Sequence, residues 1–141
     1  MSLIEVLVAV LVLAVGMLGV AAMQALALRG GQGSLESSQA VMAANSIIEA
    51  MRANRANAAG YVYNGIAACG TVPAAGTSLA GNDLNNWVTR LKDTIGTGAA
   101  TDTTTCGSIS AAGGIYTVTV QWDDSRAGGG ATRTVVTEAS I

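Results

Sequence analysis

Residues 1–28, MSLIEVLVAVLVLAVGMLGVAAMQALAL, decide the fold of this chain. From Val6 to Leu28 the only polar side chain is that of Gln24. As a helix rising about 1.5 Å per residue, this stretch forms an apolar rod roughly 35 Å long. A bilayer core is about 30 Å thick, so the sequence predicts that the rod crosses a membrane with some tilt.

Glu5 is the only acidic residue of the rod, and no basic side chain precedes Arg29. An unpaired charge in hydrocarbon costs about 2.5 to 3.5 kcal/mol on insertion scales, so Glu5 requires a cation or water. The nearest cation is the amino terminus at Met1, about one helical turn away. The two groups can pair weakly within one chain or more strongly between two staggered copies. The second arrangement would make the rod an element of polymerisation.

The segment SLIEVLVAVLVLAVGMLGVAAMQ resembles the mature amino terminus of type IV pilins and pseudopilins, whose precursors lose a short leader before residue 1. The start LIEVLVA, the continuation LAVGMLGVAAMQ and the later NSIIEAMRAN are most similar to PilV-like minor pilins, the pilus modification proteins. The similarity covers about residues 2–55. It implies the pilin fold, an α+β structure in which a long helical spine packs on a small antiparallel sheet with a short second helix.

The resemblance also implies roles for individual residues and partners. Prepilin peptidase would expose Met1, which is then N-methylated, and Glu5 would be the glutamate that directs assembly. The chain would be held in the inner membrane by a single span. The pilus machinery would then assemble it with other pilins into an extracellular filament, whose adhesion and motility are properties of the whole fibre.

Two positions depart from the family pattern. Residue 1 is Met, where the family usually has Phe, and Ala22 stands where many major pilins have a helix-breaking Pro. Gly16 and Gly19 still lower helix stability by about 1 kcal/mol each relative to Ala. They mark either a softened stretch of the helix or a place where helices approach closely.

The length and the charge of the chain limit the classes of function it can have. With 141 residues, the chain holds one modest domain beyond the anchor. The net charge is −2, with no His and no basic run, so the sequence predicts no nucleic-acid interface.

Two cysteines, Cys69 and Cys106, bear on whether the head is exported or cytosolic. An even pair in an exported domain is typical of a disulfide, and the alternative is two free thiols of a cytosolic protein. Metal binding is disfavoured because the chain has no CxxC motif and no His.

The chain divides into an apolar half-helix at 1–28, an amphipathic half-helix at 29–55 and a head at 56–141. The glycines of RGGQG, residues 29–33, predict a kink or loosening between the two halves. In the second half, Glu36 is expected off the apolar stripe. The stripe itself is predicted to comprise Val41, Ala44, Ile48 and Met51, with Ala40 and Ile47 beside it.

The head is predicted to contain a loop, a helix at 82–95 and an antiparallel hairpin at 115–138. Asn82 is the expected N-cap of the helix, whose apolar residues recur at helical spacing. Residues 97–113 read as a loop. The strand at 115–122 alternates, which places Val118, Val120 and Trp122 on one buried face.

Catalytic motifs are sparse, so the sequence predicts no enzyme, no cofactor and no metal. It contains no Ser/His or Cys/His constellation and no phosphate loop. Asp123 and Asp124 are interpreted as a solvated turn rather than a calcium site. Two other functions remain open: a type II secretion pseudopilin, and a monomeric membrane-anchored binding module or enzyme in which Glu5 has no special role.

Overall fold

The computed structural model describes residues 2–130 and 132–141 and has an α+β architecture. Its sheet has four antiparallel strands in the order β1-β2-β3-β4. In chain order the elements are helix α1 at Leu3–Ala53, a 3₁₀ segment at Arg55–Tyr61, strand β1 at Tyr63–Asn64, helix α2 at Leu79–Thr94, strands β2 at Cys106–Ala112 and β3 at Ile115–Trp122, a 3₁₀ turn at Ser125–Ala127, and strand β4 at Arg133–Ser140.

Helix α1 runs without a break through all 51 of its residues, a length of about 75 Å. The loosening expected at residues 29–33 is therefore not seen. Gly33 is buried where the head first contacts the helix, and a Cβ on this residue would lie 3.1 Å from the Cβ of Ala127. This glycine allows the head to approach the helix backbone, so its absent side chain serves packing rather than bending.

The buried stripe of α1 begins earlier than predicted. It comprises Gly33, Glu36, Ala40, Ala44, Ile47, Ile48 and Met51. Two expectations were wrong: Val41 is 42% exposed, and Glu36 is only 5% exposed. The buried positions recur every three or four residues, and Val41 falls beside this line on the solvent side.

The core lies between the two helices and one face of the sheet. Val118, Val120 and Trp122 are fully buried on that face, which confirms the predicted alternation of β3. The indole nitrogen of Trp87 on α2 donates a hydrogen bond of 2.9 Å to the carbonyl oxygen of Ala43 on α1. The two helices are thus joined by packing and by a bond between elements distant in sequence.

Helix α2 starts three residues before the predicted position. The hydroxyl of Ser78 caps it by accepting a hydrogen bond of 3.1 Å from the Gly81 amide. Asn82 is not the cap, because its side chain accepts a hydrogen bond from the Gly76 amide in the preceding loop instead. Ser78 and Asn82 are both good capping residues, and the predicted cap was the wrong one of the two.

Strand β2 occupies part of the region predicted to be a loop. Its sequence, CGSISAA, carries one large apolar residue, Ile109, and pairs with β3 along its whole length. Gly107 faces the aromatic ring of Trp87 so closely that a Cβ there would overlap it. The absence of a side chain at Gly107, which helped to conceal this strand, is therefore required by the packing of α2. The predicted hairpin is present, and β4 extends two residues beyond it to Ser140.

The Gly33 contact predicts opposite effects for two neighbouring glycines. Gly33→Leu is expected to destabilise the folded head by about 1 to 3 kcal/mol, because a larger side chain overpacks the contact with Ala127. Gly31 has open space at the Cβ position, so Gly31→Leu is the matched control and should be neutral or slightly stabilising. Thermal unfolding of the detergent-solubilised chain measures both. Equal melting temperatures for the two variants would contradict the proposed contact.

Candidate assembly surface

The amino-terminal half of α1 has no partner in the part of the chain that the structure describes. Every residue from 2 to 32 is exposed, and the large apolar side chains include Leu3 at 80% and Leu28 at 76% exposure. Among residues 2–130 and 132–141, this is the one helix long and apolar enough to cross a membrane, by length and composition. An apolar surface of this extent marks contact with lipid or with other proteins.

Glu5 lies at the start of this surface. Its Oε2 atom accepts a hydrogen bond of 2.8 Å from the backbone amide of Ser2, which precedes the helix. A carboxylate in the first turn also complements the positive end of the helix dipole. The side chain borders a shallow apolar groove on the helix, lined by Val6, Ala9, Val10 and Leu13.

Within the described residues, no Lys or Arg forms an ion pair with Glu5. Met1 lies outside those residues, so its methylation and its pairing with Glu5 stay predictions. The hydrogen bond from Ser2 leaves the negative charge of Glu5 in place. The carboxylate therefore still requires a cation if the rod enters an apolar environment.

A disulfide joins Cys69 to Cys106, with their Cα atoms 5.2 Å apart and a sequence separation of 37 residues. It ties the long loop after β1 to the first residue of β2. No cluster of His, Cys, Asp and Glu suited to a metal ion occurs among the residues that the structure describes.

Lys92 is an unexpected buried charge beside the disulfide. The residue is 1% exposed, and its Nζ atom donates hydrogen bonds to the carbonyl oxygens of Cys69, at 2.7 Å, and of Asp102. Burial lowers the pKa of the Lys92 ammonium, although the charge of Asp102 opposes the shift. Lys92 thereby fastens α2 to the two loops next to the disulfide. The sequence signal was its spacing, since position 92 falls on the buried face of α2, four residues after Val88.

Asp102 is likewise buried, where the sequence suggested only a loop. Burial alone would raise the pKa of this carboxyl. The hydroxyl and amide of Thr104, each at 2.7 Å, and the amides of Thr97 and Thr105 outweigh burial and hold the pKa below its usual range. The ionised carboxylate organises the loop that leads into β2. These contacts are structural, because all the partners belong to the same loop.

Two ion pairs secure the turn after β3. Arg126 Nη2 lies 3.4 Å from Glu36 Oε1 on α1, and Arg133 Nη1 lies 3.1 Å from Asp124 Oδ2. Both carboxylates are buried, whereas both guanidinium groups are about half exposed. The interpretation of Asp124 as solvated was therefore wrong. Its neighbour Asp123 is less buried and accepts a hydrogen bond from the Ser125 amide.

Sequence reasoning missed this cluster because Glu36 pairs with residues at the far end of the chain. One oxygen of Glu36 and one of Asp124 have no hydrogen-bond donor among the described residues. The pairs lie beside Gly33, where α1 passes from its exposed half to its packed half. The Glu36–Arg126 pair joins the head to α1 at that transition, and the Asp124–Arg133 pair connects the turn to β4 within the head.

No protein-family model, curated protein or solved structure matches this chain.

The disulfide is expected to stabilise the head substantially. Replacing Cys69 and Cys106 together with Ser should lower its free energy of unfolding by about 3 to 4 kcal/mol, because the unfolded chain loses a loop constraint. Denaturant titration of the full chain in detergent, compared with Ser108→Ala in the same strand, measures the loss. Unchanged stability, or two free thiols in the native protein, would contradict this role.

The hydrogen bonds of Asp102 predict a loss of stability in acid. The unfolded carboxyl has a pKa of about 3.9, above that of the folded state, so its contribution is complete above about pH 4 and falls as the pH is lowered further. Asp102→Asn should flatten this part of the pH profile in thermal unfolding. Exposed Asp93 on α2 provides the control substitution, Asp93→Asn. If Asp102→Asn loses as much stability as the wild type between about pH 4 and 2, the loss of stability in acid does not come from Asp102.

Proposed function

We propose that this chain is a structural subunit of a type IV pilus, with the pilin fold and the role of a PilV-like minor pilin. The observation that carries the proposal is the exposed apolar half of α1 with Glu5 at its start. Such a surface needs either lipid or identical and related helices around it. In this proposal the surface contacts lipid first, in the inner membrane, and then other helices, in the filament.

Glu5 distinguishes a polymerising helix from a simple anchor. Its hydrogen bond with Ser2 satisfies one oxygen locally, but its charge would remain unpaired at the edge of hydrocarbon. In a staggered bundle of rods, the charged amino terminus of a neighbouring subunit supplies the missing cation. Surrounding apolar side chains would strengthen that attraction by lowering the local dielectric constant.

The unbroken course of α1 supports a role in a fibre. The helix continues from the exposed rod into the stripe that packs on the head. A filament built on such rods would hold every head at a fixed distance and rotation from the bundle. Because the Glu36–Arg126 ion pair joins the head to the helix, contacts between rods would determine contacts between heads.

The proposal places the chain with prepilin peptidase and the inner-membrane pilus machinery before assembly, and on the cell surface afterwards. The Cys69–Cys106 disulfide is consistent with an exported head. No catalytic role is part of the proposal.

Replacing Glu5 tests the mechanism directly. Glu5→Gln keeps the size of the side chain and removes its charge, so membrane insertion should be retained while incorporation into surface filaments falls at least about tenfold, as expected for the loss of roughly 1.4 kcal/mol. Glu49→Gln, an exposed site on the same helix, is the control. Quantitative mass spectrometry of sheared filaments and membranes gives both readouts.

Normal incorporation of the Glu5→Gln protein would refute the charge-pair mechanism. Deletion of the chain separates the alternatives. Loss of secretion with pili intact would instead indicate a type II secretion pseudopilin. Activity retained by a head lacking residues 1–28 would indicate a membrane-anchored binding module or enzyme.

A further inference from the structure

A polar cleft of about 490 Å³ lies between α1 and the turn that precedes β4. Its lining is made largely of glycine and serine, together with the side chains of Arg29, Arg133 and Asp124. It is separate from the groove beside Glu5, which lies at the other end of the rod. Neither the assembly role of Glu5 nor the packing of the head requires an opening at this place.

The side chains of Arg29 and Arg133 both border the cleft. A Cβ on Gly33 would lie 3.7 Å from Nη1 of Arg133, and a Cβ on Gly128 would lie 3.8 Å from Cδ of Arg29. Arg133 is about half exposed and is paired with Asp124. Arg29 has no ion pair among the residues that the structure describes. The cleft therefore carries one uncompensated positive charge, and both groups have the planar donor geometry that suits phosphate oxygens.

The cleft lies close to the expected membrane surface. Leu28 is the last residue of the apolar rod, and Gly33 follows five residues later, a rise of about 7.5 Å. The polar layer on each side of a bilayer is about 5 to 7.5 Å thick, from the difference between the total and hydrocarbon thicknesses. If α1 spans a membrane, the cleft opens at the level of the lipid phosphates.

We propose that this cleft binds the headgroup of an anionic phospholipid of the phosphatidylglycerol type. This inference rests on the membrane anchoring in the proposed function. Arg29 and Arg133 take the phosphodiester, and the headgroup hydroxyls face Ser34 and the glycine-rich turn. One monoanionic phosphate balances the single excess charge. The bound lipid would hold the turn, and through it the head, against the membrane before the subunit enters a filament.

Two neighbouring glycines allow the cleft to be tested without removing a charge. Gly30 lines the cleft and Gly31 does not, and both have open space at the Cβ position. Gly30→Leu should therefore fill the cleft. Gly31→Leu adds the same side chain to the same turn of helix α1 but outside the cleft. Arg29→Gln tests the charge, with Arg55→Gln, in the 3₁₀ segment beyond the carboxyl end of α1, as its control.

The experiment uses the full chain in nanodiscs of phosphatidylcholine mixed with phosphatidylglycerol, and native mass spectrometry measures the lipids that stay bound. We expect the wild type, Gly31→Leu and Arg55→Gln to retain phosphatidylglycerol in preference to phosphatidylcholine. Gly30→Leu and Arg29→Gln should each lower this preference about fivefold, the effect of roughly one basic residue at an anionic surface. Thermal unfolding in the same discs verifies that each variant is folded.

Four results would overturn the inference. Equal lipid preference in Gly30→Leu and Gly31→Leu would show that the attraction is general and does not involve the cleft. Displacement of the lipid by millimolar glycerol phosphate would assign the cleft to a soluble phosphate ester. If the fully inserted wild type shows no preference for phosphatidylglycerol, the lipid site is refuted but the membrane anchoring is not. Failure of the chain to enter phosphatidylcholine discs would instead refute the anchoring, and the lipid site with it.

Discussion

One continuous helix must satisfy two different surroundings, and the rest of the structure follows from that constraint. Residues 3–28 of α1 are apolar on all sides, so this half belongs among lipids or other apolar helices. From Gly33 onward only one stripe is buried, and the head covers it. The sheet and α2 therefore lie on one side of the helix, leaving the opposite side free for contacts with other subunits.

The transition between the two halves is where α1 and the head depend most on each other. Gly33 brings the turn after β3 against the helix, and Glu36 then pairs with Arg126 in that turn. Farther up, Lys92 and the Cys69–Cys106 disulfide secure the loops at the other side of the core. The ion pair, the hydrogen bonds of Lys92 and the disulfide compensate for a core with few aromatic residues and many small ones. The Glu36–Arg126 pair thus holds the head to α1, while Lys92 and the disulfide hold the parts of the head to one another.

Regular periodicity explains which elements could be predicted from the sequence. Three patterns repeat over enough residues to be recognised from the sequence alone: the apolar rod, the apolar stripe on α2 and the alternation in β3. Strand β2 has no such pattern, because Gly107 is fixed by close packing against Trp87 and the small residues around it give no alternation of large apolar side chains. The burial of Glu36 was equally hidden, since its partner Arg126 is brought to it only by the complete fold. For the candidate site, the sequence located Glu5 and the cysteine pair. The proposed partner of Glu5 belongs to another copy, so a single chain cannot show it.

The account depends on helices like α1 bundling side by side with Glu5 inside the bundle. Cryo-electron microscopy of assemblies sheared from the producing cell, at a resolution that shows side chains, tests this most directly. The account predicts that residues 3–28 form the centre of a helical fibre, with the Glu5 carboxylate within ion-pair distance of a neighbour's amino terminus. Assemblies in which this segment faces solvent or lipid, with no neighbouring terminus near Glu5, would contradict it.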